Sequence, residues 1–160
     1  MKTVMDHVGP LERSGEVSCR VDFMGRVSQD FEVLALPFYL HRIPAGFPSP
    51  ADDYLETGLD LNSLLVRNPA ATFMVRVSGD SMSGAGIHDG DILVVDRSEE
   101  AAHGKIVVVA LDGEMTVKRL HLKDGRCRLD PENKAYQPIQ VGTEQDLQVW
   151  GVVVGVVRRV

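Results

Sequence analysis

The chain has 160 residues, 44% of them hydrophobic and 25% charged, which is enough for one core-forming domain with an appendage. Its formal charge of −6 argues against a surface that wraps nucleic acid, because such binding runs on Lys and Arg neutralising phosphates. The two cysteines, Cys19 and Cys127, are too few for a disulfide framework or a metal site and read as free thiols of a reducing cytoplasm.

Residues 1–7 hold no apolar segment of the secretory kind, and the longest apolar run, 149–157, is far short of the ~20 residues a membrane helix needs. A cytoplasmic, non-membrane protein is expected. Residues 1–50 are weakly patterned. Val17, Cys19, Val21 and Phe23 alternate with polar residues and suggest one strand. Pro37, Pro44, Pro48 and Pro50 then keep the chain extended or looped. Residues 51–70 read as a short helical interlude, with Asp60 as N-cap for Leu61-Asn62-Ser63-Leu64-Leu65-Val66 and Pro69 closing it.

Beyond residue 72 the signals turn to strands, at 73–78, 91–96, 105–111, 115–122, 126–130 and 147–157. These segments are rich in Val, Ile and Leu and are separated by Asp89-Gly90, His103-Gly104, Asp112-Gly113 and Asp124-Gly125. Asp112-Gly113 between two apolar runs predicts a tight hairpin. Short, closely spaced strands predict a mostly β fold, an antiparallel all-β core with few helices.

Three features carry chemistry. Ser81 follows a strand and enters the turn Gly79-Asp80-Ser81-Met82-Ser83-Gly84. Such a turn exposes a nucleophile and can turn its own N–H toward an oxyanion. The spacing is not the Gly-x-Ser-x-Gly elbow of lipases, and a serine in a turn is commonly a turn residue only. Lys118 is the second feature. Strand alternation puts Glu114, Thr116, Lys118, Leu120 and Leu122 on one face and Met115, Val117, Arg119 and His121 on the other. A lysine facing two leucines loses hydration, which disfavours the ammonium form and suits a general base. The competing reading is a stem lying on apolar surface with its head in water. His88 and His103 could instead serve a Ser-His-Asp set, though both sit beside glycine turns. The third feature is Ala45-Gly46, a small-small bond braced by Pro44, Pro48 and Pro50, which a narrow cleft could grip as an extended strand or which could be an ordinary turn.

Together these segments resemble the LexA/UmuD family of Ser/Lys autoproteases, peptidase S24, and within it the accessory subunits of error-prone DNA polymerases. The resemblance rests on Ala45-Gly46-Phe47-Pro48-Ser49-Pro50-Ala51, Asp60-Leu61-Asn62, Gly79-Asp80-Ser81-Met82, Asp89-Gly90-Asp91-Ile92-Leu93-Val94-Val95-Asp96, Thr116-Val117-Lys118-Arg119-Leu120 and Gly151-Val152-Val153. Each is weak alone, but the ordered set is specific and covers roughly residues 44–158.

The resemblance implies an all-β catalytic core at 46–160, preceded by an extended N-terminal arm, 1–45, that self-cleavage removes. It implies Ser81 as nucleophile, Lys118 as general base and Ala45-Gly46 as the bond cut. The N–H groups of Asp80 and Ser81 are the candidate oxyanion donors. No cofactor or metal is implied. The implied partners are a second copy in a homodimer, a RecA–single-stranded DNA filament that stimulates cleavage in the SOS response, and a Y-family, UmuC-like polymerase in translesion synthesis. Residues 1–25 have no counterpart in the family pattern.

Three rivals remain. A self-cleaving repressor needs a DNA-reading domain before the cut. Residues 1–45 instead hold five Lys/Arg (Lys2, Arg13, Arg20, Arg26, Arg42) against six Asp/Glu (Asp6, Glu12, Glu16, Asp22, Asp30, Glu32), with no pair of helix-period segments. Direct sequence-specific DNA binding is therefore not expected. A signal peptidase shares the Ser/Lys chemistry but needs a membrane anchor. In a non-enzymatic polymerase-interaction module, Ser81 and Lys118 would be incidental.

Overall fold

Two Asp-Gly turns lay out the centre of the fold. Asp112 and Gly113 both have positive φ (50° and 85°), as do Asp124 and Gly125 (51° and 71°). Two consecutive positive φ values are what a two-residue hairpin of matching twist requires, and glycine takes the second at no steric cost. The hairpins join β6 (Ile106–Leu111), β7 (Glu114–Lys123) and β8 (Arg126–Asp130), with Leu111 opposite Glu114 and Lys123 opposite Arg126.

The computed structural model describes residues 20–26, 35–39 and 55–160. Its other strands are β1 (Arg20–Arg26), β2 (Ala35–Tyr39), β3 (Leu55–Asp60), β4 (Thr72–Ser78), β5 (Ile92–Asp96), β9 (Ile139–Val141) and β10 (Leu147–Val157). Among the described residues eight strands form one antiparallel sheet in the order β1-β4-β5-β10-β6-β7-β8-β9, and β2 pairs with β3. The mostly β, antiparallel expectation holds, and all six predicted strands from residue 73 onward are present. Of the alternation at 17–23, the part from Arg20 onward is strand, while Val17 and Cys19 lie outside the described residues: Val21 is buried, and the Phe23 ring lies 5.9 Å from that of Phe73. Among the described residues no helix is long and apolar enough to cross a membrane.

The interlude at 51–70 needs correction. Residues 55–60 are strand, because β2 offers a pairing partner that no local pattern reveals. Only Leu61–Leu65 is helix (α1). Asp60 caps it as expected, accepting the N–H groups of Asn62 and Ser63 at 3.1 and 3.2 Å.

The sheet curls, and β10 shows why. Its register shifts between Val149 and Gly151 against β6, and between Val153 and Gly155 against β5. Each bulge bends the strand and raises its twist. Gly151 permits the first bend, since a Cβ there would stand 2.8 Å from Val95 Cγ1 and 2.9 Å from the Asp96 carbonyl oxygen. The curled sheet buries apolar side chains on both faces. One cluster includes Val21, Phe73, Val75, Met82, Leu93, Val108 and Val117; the other joins Val107, Val109, Leu120, Leu129 and Val152.

Candidate active site

Ser81 and Lys118 start far apart along the sheet. β4, which delivers Ser81, and β7, which carries Lys118, are separated by β5, β10 and β6. Four strand spacings of about 4.8 Å each would hold them some 19 Å apart in a flat sheet. Curling closes that distance. Lys118 Nζ lies 3.0 Å from Ser81 Oγ, from Thr116 Oγ1 and from the Val117 carbonyl oxygen.

The lysine stands in apolar surroundings. Cross-strand pairing sets Lys118 opposite Val107, Thr116 opposite Val109 and Leu120 opposite Leu129. Lys118 is 3% exposed and Thr116 8%. Leu120 is buried beside them as alternation predicts, but Leu122 is 44% exposed, because β7 runs out past the core there. The apolar face around Lys118 is thus built as much by β6 and β8 as by its own strand.

Ser81 is not the exposed turn residue the sequence suggests, for its exposure is 0%. Met82 next to it turns into the first core cluster, fully buried. The connection between β8 and β9 packs along the serine turn: Glu132 N–H donates to the Ser81 carbonyl at 2.8 Å, and Gly84 N–H donates to the Glu132 carbonyl at 2.6 Å. Asn133 Nδ2 donates to the Asp80 carbonyl at 3.1 Å, and the Tyr136 hydroxyl donates to Asp80 Oδ1. Gly79, at φ 94°, sends its N–H to Asp89 Oδ1 at 2.8 Å. The turn is therefore tied down on both sides of the serine.

Among the described residues the Ser81 hydroxyl meets Lys118 Nζ rather than either candidate histidine. His88 is exposed, and its backbone N–H donates to Asp91 Oδ2 at 2.7 Å. The His103 ring meets that of His121 edge-on at 4.6 Å, and His103 Nδ1 accepts the Leu122 N–H. Burial pushes the Cys127 thiol above its ordinary pKa, which leaves it a poor nucleophile. Among the described residues no three His, Cys, Asp or Glu side chains stand together as a metal site. The Ala45-Gly46 bond, its flanking prolines, Cys19 and the boundary at 45/46 lie outside the described residues.

Sequence reasoning missed Glu132, Asn133 and Tyr136. They sit more than fifty residues from the serine in a segment that reads only as loop. Thr116 was within reach, since alternation already put it on the face of Lys118.

A buried lysine amine stands against a serine hydroxyl, with a second hydroxyl, from Thr116, and the Val117 carbonyl fixing the amine, a geometry in which an amine can accept the serine proton. The Peptidase S24-like family model matches residues 37–154. The chain is 50% identical to Protein SamA of Salmonella typhimurium over 123 residues, 77% of this chain and 85% of that protein. It is likewise 50% identical to Protein MucA of Escherichia coli over 122 residues, 76% and 83% of the two chains. It is 44% identical to LexA repressor 2 of Pseudomonas syringae pv. tomato over 129 residues, 80% and 62% of the two chains. The chain belongs to the Peptidase S24-like family, the LexA/UmuD-type self-cleaving serine proteases.

Proposed function

We propose that this protein cuts its own Ala45-Gly46 bond with Ser81 as nucleophile and Lys118 as general base. The observation that carries the reading is the buried Lys118 Nζ at 3.0 Å from Ser81 Oγ. Burial strips water from the amine and disfavours its ammonium form, so a neutral amine is available to take a proton. Lys118 takes the Ser81 proton as Oγ attacks the Ala45 carbonyl carbon. The N–H groups of Asp80 and Ser81 face the oxyanion. The lysine then returns the proton to the Gly46 nitrogen, which leaves, and an ester joins Ser81 to Ala45. Water attacks that ester with Lys118 again as base, freeing the Ala45 carboxylate and restoring Ser81.

The products are an arm, 1–45, and a shortened catalytic and dimerisation domain, 46–160. In this reading the protein is a cytoplasmic homodimer of the SOS response. A RecA–single-stranded DNA filament favours the minor state in which the arm reaches the cleft. The shortened form then joins a Y-family polymerase in error-prone translesion synthesis. The ordered motif set and the relatedness to MucA, SamA and LexA repressor 2 support this context. The test is mass measurement of the purified protein with and without the filament. Masses for 1–45 and 46–160, appearing faster with the filament, are expected. An intact chain under both conditions would overturn the proposal.

A further inference from the structure

We infer that the segment from Glu132 to Tyr136 is a positioning bridge that sets Ser81 against Lys118, with Tyr136 and Asn133 acting on the serine turn through Asp80. The inference rests on the Ser/Lys reading above and goes beyond it, to residues outside the reacting pair.

The bridge touches both halves of the site. On the serine side, Glu132 makes the two backbone hydrogen bonds that flank the turn, to Ser81 and from Gly84. On the lysine side, the Glu132 carboxylate pairs with Arg119, the residue after Lys118, and Arg119 also donates to the Gly104 carbonyl at 2.7 Å. One residue thus spans from the nucleophile's backbone to the strand that carries the base. Next to it, Asn133 bends the chain: its Oδ1 accepts the Ala135 N–H at 3.0 Å and its carbonyl accepts the Tyr136 N–H at 3.1 Å. That turn aims Asn133 Nδ2 at the Asp80 carbonyl and the Tyr136 hydroxyl at the Asp80 carboxylate.

The position matters because Ser81 lies three residues past the end of β4 and, among the described residues, pairs with no strand. Its Oγ reaches Lys118 across a curled sheet, where a shift of one strand end moves the hydroxyl out of reach. Reacting groups held about 1 Å off can lose on the order of a hundredfold in rate. The Asp80 side chain therefore has a role separate from its backbone N–H: it is the handle by which the bridge holds the turn.

The test is a cycle of Asp80→Ala, Tyr136→Phe and the double variant, with Asp80→Asn as the conservative replacement, since an amide oxygen still accepts the phenol. Self-cleavage of the full chain is followed across pH, with a urea melt of each variant. Asp80→Ala and Tyr136→Phe are each expected to lower the alkaline plateau tenfold or more. The pH midpoint stays that of the parent, the double variant falls no further than either single, and Asp80→Asn keeps most of the rate. Parent-like cutting in Tyr136→Phe overturns the bridge alone, as does loss that only tracks the fraction unfolded in the melt. An intact parent chain overturns the Ser/Lys reading and the bridge with it.

Discussion

Gly84→Ala puts the packing around the serine turn to a direct test. A Cβ at Gly84 would lie 2.3 Å from the Glu132 carbonyl oxygen and 3.2 Å from its carbon. Ordinary contact begins near 3.4 Å, so the two backbones must separate by roughly 1 Å. Neither neighbour is the end of a flexible side chain. Overpacking of this kind costs about 1–3 kcal/mol. The separation also stretches the Gly84-to-Glu132 and Glu132-to-Ser81 hydrogen bonds, each worth about 1 kcal/mol net. With both bonds lost the total is about 3–5 kcal/mol, read as a shift of the urea midpoint at unchanged slope. The measurement belongs in a Ser81→Ala background, where the chain stays whole. In the parent background, self-cleavage should fall by about ten- to a hundredfold. A midpoint within about 0.5 kcal/mol of the parent, with cleavage unaltered, would mean that Glu132 is not a fixed neighbour of the turn.

The rate of self-cleavage should rise with pH, following the fraction of neutral amine on Lys118; a flat profile between about pH 7 and 10 would count against lysine as the base. Arg158 and the His88 N–H hold the Asp91 carboxyl below its ordinary pKa, the guanidinium being the larger cause. A carboxyl depressed in the folded state stabilises above the unfolded value of about 3.9, and that contribution is lost as pH falls through the lowered folded value. Arg158→Met should therefore destabilise the chain at pH 7 and flatten its loss of stability below about pH 5; parallel urea-midpoint curves for parent and variant would contradict this. Leu129 is fully buried in the second cluster, so Leu129→Ala should cost about 2–5 kcal/mol in the same urea assay, and a loss below about 1 kcal/mol would mean the site collapses around the gap.

Local chemistry made most of the strands legible. Asp112-Gly113 and Asp124-Gly125 announce their hairpins because so few residue pairs accept two positive φ values, and the valine-rich β6 and β10 have one face or both to bury. What failed was pairing that only the fold supplies. Leu55, Thr57 and Leu59 do alternate with Glu56, Gly58 and Asp60, but the segment runs straight into a helix N-cap, and its strand state is decided by pairing with β2. Ile139–Val141 is too short to show a period and exists because β8 offers it an edge. The site divides the same way. Lys118 could be found from its own strand, since alternation is a local property. The burial of Ser81 could not, because the segment that packs against it begins at Glu132 and meets it through backbone groups that any residue carries.

In the proposed reaction Ser81 and Lys118 act together on one bond of their own chain. Purified parent, Ser81→Ala and Lys118→Ala chains, incubated at alkaline pH and weighed by mass spectrometry, test it most directly. Masses for 1–45 and 46–160 are expected from the parent alone, with both variants folded and intact. Cutting between Ala45 and Gly46 in either variant would contradict it.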